Sequence, residues 1–127
     1  MNCKKNTTTY YNIDGKTIYA IHEHDPDTLN FIKTTWFNKN GKTIDFITEY
    51  DPETEEPIKE TWYNPDRETI DYIRKYNPQT GKETKRTIYN DDEKTIYSIT
   101  EYDPQTGNET KKTYYNSDGT IKEEKTF

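Results

Sequence analysis

Valine is absent from these 127 residues, leucine occurs once, and thirteen Ile and four Phe complete the short list of large aliphatic and phenyl side chains. So thin an apolar supply excludes a two-layer hydrophobic sandwich and approaches the compositions of disordered chains. Cysteine is nearly missing too. The single Cys3 lies outside the repeated part, so no intrachain disulfide framework can form. It is read as a disordered N-terminal residue, not a reactive or lipidated thiol, because no apolar leader precedes it. No apolar run reaches membrane-spanning length and no signal-peptide hydrophobic stretch is present. The expectation is a soluble chain; an exported product would have lost its leader. An excess of positive charge is lacking as well. The net charge of −6 and pI near 5.0 argue against general nucleic-acid binding, which needs a basic face.

Disorder is not the reading, for two reasons. The net charge is small for the length, and the apolar residues recur at fixed positions. Twelve Tyr and two Trp also supply large buriable surfaces that an aliphatic count misses. The enriched types (Lys, Asn, Ile, Tyr, Phe) have AT-rich codons, which suggests an AT-rich genome.

Asn12, Asn38, Asn64, Asn90 and Asn116 follow one another every 26 residues, and Pro26, Pro52, Pro78 and Pro104 keep the same step. This spacing predicts a tandem repeat free of insertion or deletion, one supersecondary unit copied and stacked. The copies run about 9–34, 35–60, 61–86, 87–112 and, in part, 113–127, within a single domain over 1–127. Each copy holds two stretches rich in Thr, Ile and aromatics, separated by turn chemistry, which read as two β-strands. Proline at a fixed place in every copy would interrupt any long helix.

The two turns differ. Gly15, Gly41 and Gly119 close Asn-x-Asp/Asn-Gly segments suited to a three-residue hairpin loop with a bulge. Arg67 and Glu93 stand at that Gly position in the other copies, where a positive φ would cost about 1 kcal/mol each. The second turn is Asp/Asn-Pro-x-Thr, followed by Gly81 or Gly107 in two copies and by Leu29 or Glu55 in the others. Both are hairpins, so an antiparallel meander of ten strands is expected. They should lie at about 5–12, 16–24, 31–38, 42–50, 57–64, 68–76, 83–90, 94–102, 109–116 and 119–126. Pairing Asn38 with Lys42 sets Trp36 opposite Ile44 and Thr34 opposite Phe46, on one face with Ile32 and Tyr50. The other face takes Phe37, Thr35, Ile47, Lys33 and Glu49. At about 4.8 Å per strand the sheet spans about 50 Å. The fold class is all-β: an elongated, twisted, mostly single-layer sheet held by cross-strand ladders, with a curled or spiral shell as the alternative. The Lys- and Glu-dense segment from Thr120 to Phe127 would discourage edge-to-edge association.

The strings Lys42-Thr43-Ile44-Asp45-Phe46-Ile47-Thr48-Glu49-Tyr50-Asp51-Pro52 and Tyr76-Asn77-Pro78-Gln79-Thr80-Gly81-Lys82-Glu83-Thr84-Lys85 resemble an uncharacterised repeat family of mollicute bacteria, chiefly phytoplasmas. Its units are of the kind TGKxIKxTxYxxDGKTIxxIxEYDPxT, and the resemblance runs from Thr9 onward. Leu29, Glu55, Arg67 and Glu93 depart from its glycines. The resemblance implies no catalytic residues. Because phytoplasmas live inside host cells and export proteins, it implies secretion and a host-facing role. Glu-Tyr-Asp-Pro is also similar to the tyrosine–aspartate repeats of Rhs-type shells, over that short motif alone.

Candidate sites are few. His22 and His24, two apart on one strand, share a face and have metal-ligand spacing, but no third ligand is evident and other copies carry Thr48/Tyr50, Arg74/Tyr76 and Thr100/Tyr102 there. Neither a metal nor a cofactor is therefore expected. Glu23, Glu49 and Glu101 read as a solvated ladder facing Lys33, Lys59 and Lys111, not as catalytic carboxylates. No Ser-His-Asp order, nucleotide-binding Gly loop or Cys–His cluster occurs, so no enzyme is expected. The one column that invites a binding role is Tyr10, Trp36, Trp62, Ile88 and Tyr114, spaced about 10 Å apart along the sheet. Its plainer reading is that the rings hold a thin sheet together. The function read from the sequence is a non-enzymatic scaffold with an unidentified protein partner, the alternative being a glycan-binding or adhesive module.

Overall fold

The computed structural model describes residues 6–65, 69–92 and 94–127; Cys3, Arg67 and Glu93 lie outside them. Ten strands follow in chain order: β1 Asn6–Tyr11, β2 Ile18–His24, β3 Phe31–Phe37, β4 Ile44–Tyr50, β5 Pro57–Tyr63, β6 Ile70–Tyr76, β7 Glu83–Tyr89, β8 Ile96–Tyr102, β9 Glu109–Tyr115 and β10 Ile121–Thr126. They form one open antiparallel sheet ordered β1 to β10, with β1 and β10 as its edges. It is the meander the repeat predicts, not a curled shell.

Each turn is built by side chains that the repeat holds constant. In the turn after Phe37, Asn38 pairs its N–H with the Thr43 carbonyl, while Gly41 N–H returns to the Asn38 carbonyl. Asn40 Oδ1 accepts from Lys42 N and Thr43 N (2.8 and 3.0 Å), and Asn38 Nδ2 donates to Thr43 Oγ1 at 2.8 Å. The Asn column therefore persists because its amide ties each hairpin mouth to the Thr that opens the next strand. In the other turn Asp25 Oδ1 accepts from Asp27 N and Thr28 N, and Leu29 N–H bonds the Asp25 carbonyl. That geometry demands a positive φ at the fourth loop position. Gly81 and Gly107 adopt it freely, whereas Leu29 and Glu55 sit there at φ 66° and 63°.

These turns correct the expected register. The closing pair is Asn38 with Thr43, not Lys42, so four residues separate them; Trp36 faces Phe46 and Thr34 faces Thr48. A bulge then absorbs one residue, and Phe37 faces Ile44. The shift is by two residues, and because side chains alternate with period two it leaves Trp36, Phe46, Thr34 and Tyr50 on one face, as expected; Ile44, expected on that face, is turned by the bulge to the side of Phe37. A second bulge lies beside every Pro turn: Glu49 faces Lys59, but Tyr50 faces Pro57. The last hairpin breaks the expected absence of deletions, for Asn116 N–H reaches the carbonyl of Thr120, with three intervening residues instead of four.

The register lays out straight rows. On one face Thr9, Ile21, Thr35, Ile47, Thr61, Ile73, Thr87, Ile99 and Thr113 alternate without a break. Beside them runs a charged row in which Lys33–Glu23 and Lys59–Glu49 approach to 3.9 Å. In a single layer only taller neighbours on the same face can cover a residue, so burial falls on small ones. Ala20, Thr34, Thr48, Thr61, Ser98, Thr100 and Thr113 are the buried residues among those described. Stability is thus spread over cross-strand pairs worth about 0.2–1 kcal/mol each rather than concentrated in a core.

Candidate functional site

The opposite face carries a row of rings. The paired positions run Tyr10, Ala20, Trp36, Phe46, Trp62, Tyr72, Ile88, Ser98 and Tyr114. The expected column of Tyr10, Trp36, Trp62, Ile88 and Tyr114 is therefore interleaved by the even strands, which sequence reasoning did not assign to it. Trp36, Phe46, Trp62 and Tyr72 stack in succession, with centroids 5.6, 4.1 and 5.7 Å apart and planes within 20° of parallel. Rings stacked along the row cover one another's faces and present their edges outward. None of five surface hollows on the described residues is lined by these four rings. The stack is a ridge.

The row's small residues follow a rule. Where the even strand puts Phe46 or Tyr72 in the row, the bulge residue before it is Asp45 or Asp71; where it puts Ala20 or Ser98, that residue is Tyr19 or Tyr97. A bulge turns two successive side chains toward one side, so either can supply the ring. Tyr19 accordingly meets Tyr10 at 6.1 Å and Tyr97 meets Tyr114 at 5.7 Å. These rings are more open than the stack, 40% and 49% exposed.

Next to the ridge lies a charged cluster. Glu60 Oε1 accepts from Trp62 Nε1 at 3.2 Å and from the Tyr76 hydroxyl at 2.8 Å. Arg74 and Arg86 stand directly opposite each other, and both reach Glu83: Arg86 by two bonds of 2.9 and 2.8 Å, Arg74 by two of 3.3 and 3.4 Å. The shared carboxylate offsets the repulsion between two facing guanidiniums. Arg74 also lies over the Tyr76 ring, 5.3 Å from its centre. Burial, then the hydrogen bond to the Glu60 carboxylate, push the Tyr76 phenol well above its usual value. The hydrogen bond to Glu83 raises Arg86 further.

At the other end of the stack the equivalent of Glu60 is Thr34, whose hydroxyl lies 2.7 Å from His22 Nδ1 and 3.0 Å from the Tyr50 hydroxyl. His22 stacks on Phe31 at 4.9 Å, and Tyr10 and Trp36 meet it edge-on. Burial, and then the neighbouring His24, lower its pKa. Thr34 is too short to reach the Trp36 indole as Glu60 reaches that of Trp62, and Trp36 Nε1 is buried without a partner among the described residues. His24 shares the face, contacts Phe31, and has Nδ1 3.2 Å from the Leu29 carbonyl. No group of three His, Cys, Asp or Glu able to hold a metal occurs among the described residues. Of the acid ladder, Glu23 and Glu49 meet Lys33 and Lys59, while Glu101 faces Lys111, whose ammonium lies 3.5 Å from Glu124.

No helix of the described residues is long and apolar enough to cross a membrane. A comparison with proteins of curated function found no match. Among solved structures, TarM superposes with a TM-score of 0.57 at 14% identity, over 86% of this chain and 19% of TarM. A point mutant of S. aureus TarM in complex with Fondaparinux, alpha-GlcNAc-glycerol and UDP gives 0.58 at 14% identity, over 86% and 20%. The chain spans about a fifth of those proteins, and the likeness is one of fold alone. The sequence pattern of the family described as Protein of unknown function (DUF2963) matches residues 2–36, 11–62, 37–88, 63–114 and 89–127, tiling the whole repeat array, and the chain belongs to that family.

Proposed function

We propose that this chain is a non-enzymatic, single-domain scaffold that docks a protein partner on the ring face, along Trp36, Phe46, Trp62 and Tyr72. The observation that carries the reading is the stack itself with the charged cluster beside it. A raised line of aromatic edges flanked by Glu60, Arg74, Glu83 and Arg86 combines the residue types that dominate protein-binding hot spots with groups that fix orientation. A glycan platform needs open ring faces, and in this stack the faces are spent on one another. The glycan reading keeps support at open rings such as Tyr19 and Tyr97, which are tilted or edge-on to their neighbours. Resemblance to repeats of phytoplasmas favours a secreted protein whose partner belongs to the host.

The test is quantitative capture from host extract with the wild-type chain, Trp62→Ala and Tyr72→Ala, beside a Lys75→Ala control on the opposite face, with circular dichroism melts on all four. Folded ring variants should lose the partner that the control retains. Retention by both folded ring variants removes the ridge from the interface. A glycan-array signal lost on Tyr19→Ala or Tyr97→Ala, and kept in Trp62→Ala, would move the function to the alternative.

A further inference from the structure

The two edges of the sheet are chemically unlike. β1 is Asn-Thr-Thr-Thr-Tyr-Tyr, without a charge from Asn6 to Asn12, and among the described residues it pairs only with β2. β10 is Ile-Lys-Glu-Glu-Lys-Thr and among the described residues pairs only with β9. The rows show what each edge offers an incoming strand. Interior even strands present Ala20, Phe46, Tyr72 or Ser98 in the ring row and Ile21, Ile47, Ile73 or Ile99 in the Thr/Ile row. β10 puts Glu123 and Glu124 at those two places, opposite Tyr114 and Thr113. A strand docking there would meet no apolar side chain in those two rows and would draw two carboxylates out of water, which is how natural sheets close an edge. β1 carries no such block. Its Thr7, Thr8, Thr9 and Tyr10 occupy the places where interior odd strands accept a neighbour on both sides, and Tyr10 and Tyr11 remain 39% and 52% exposed.

We infer that β1 is the edge through which two copies of this chain join, β1 against β1 of the second copy, antiparallel, into one continuous sheet. The second copy is the occupant because a neutral, β-prone edge is matched by another that strands no charge, and in this molecule the other open edge is the charged β10. Antiparallel self-pairing about a two-fold axis at Thr8 sets threonines opposite threonines, Thr8 against its own copy and Thr7 against Thr9, a favourable cross-strand pairing. The contact is one strand wide, well below a standard interface, so self-association falls in roughly the 10–500 µM range.

Sedimentation equilibrium of the full chain from micromolar to millimolar concentration tests this. A monomer–dimer equilibrium is expected, weakened at least tenfold by Thr8→Lys with Thr9→Lys and unchanged by Lys125→Glu on β10. Amide exchange of the wild-type chain supplies a reading free of variants: β1 amides should gain protection as concentration rises. A monomer throughout, association that survives the β1 charges, loss in the β10 variant, open-ended growth beyond the dimer, or exchange protection confined to β10 each overturns the inference.

Discussion

Leu29 and Glu55 hold a backbone conformation that the repeat elsewhere assigns to glycine, and replacing each by Gly should stabilise the protein. A non-glycine residue at φ near +65° costs about 1–2 kcal/mol, and glycine returns about 0.5–1 kcal/mol of that through the greater freedom of its unfolded chain. The balance is a gain of about 0.5–1 kcal/mol per site. Little else changes: Leu29 is 65% exposed, Glu55 is exposed, and the contact between His24 and residue 29 uses the backbone carbonyl. The two turns belong to separate hairpins, so the gains should add to about 1–2 kcal/mol. For a chain of this length that is a rise in Tm of about 3–8 °C, measured by circular dichroism with urea melts alongside. The reverse exchange separates strain from sterics. A Cβ at Gly81 meets nothing within 4 Å and one at Gly107 meets only Lys82 Cδ at 3.5 Å, so Gly81→Leu and Gly107→Glu should each lose what the forward changes gain. A lowered Tm in Leu29→Gly, or an unchanged Tm in Gly81→Leu, would refute the reasoning.

Three further outcomes follow from the same geometry. Phe46→Ala, which removes the ring stacked 4.1 Å from Trp62 and 5.6 Å from Trp36, should cost about 2–4 kcal/mol in urea melts and shift the tryptophan emission. His22 favours its neutral form in the folded state because burial and His24 lower its pKa; the stability this carries is complete above the unfolded value of about 6.5 and is lost as pH falls from there through the folded value. Melts from pH 8 to 5 should show that loss in the wild-type chain and a flatter profile in His22→Gln. Tyr76 is shifted upward, so its contribution is present below the unfolded value of about 10 and lost as pH rises beyond it; the alkaline limb should flatten in Tyr76→Phe, followed by phenolate absorbance.

Much of the fold is legible in one copy of the repeat because it rests on local chemistry. Asn and Pro at a constant step, Gly at the turns and β-prone residues between them yield ten strands, all of which occur. The faces were legible over most of each strand, since a register error of two residues preserves alternation, but not at the bulge, where Ile44 faces Phe37 instead of Trp36. The candidate site was legible by half. The odd-strand column was visible, but its partners Phe46 and Tyr72, the substitution of Tyr19 and Tyr97 for Ala20 and Ser98, and the cluster of Glu60, Tyr76, Arg74, Glu83 and Arg86 were not. Each depends on bulges at both ends of the strands, which fix residues 7 to 16 apart against one another.

The sequence by itself determined the unit: two strands, two turns, one period, and which residues share a face, because dihedral preferences and alternation act within a few residues of the chain. Only the tertiary structure decided the rows. Whether two rings touch is set by register, register by the hydrogen bonds of Asn40 and its counterparts and by one extra residue at each bulge, and the ridge exists only once β3 to β6 have been laid side by side.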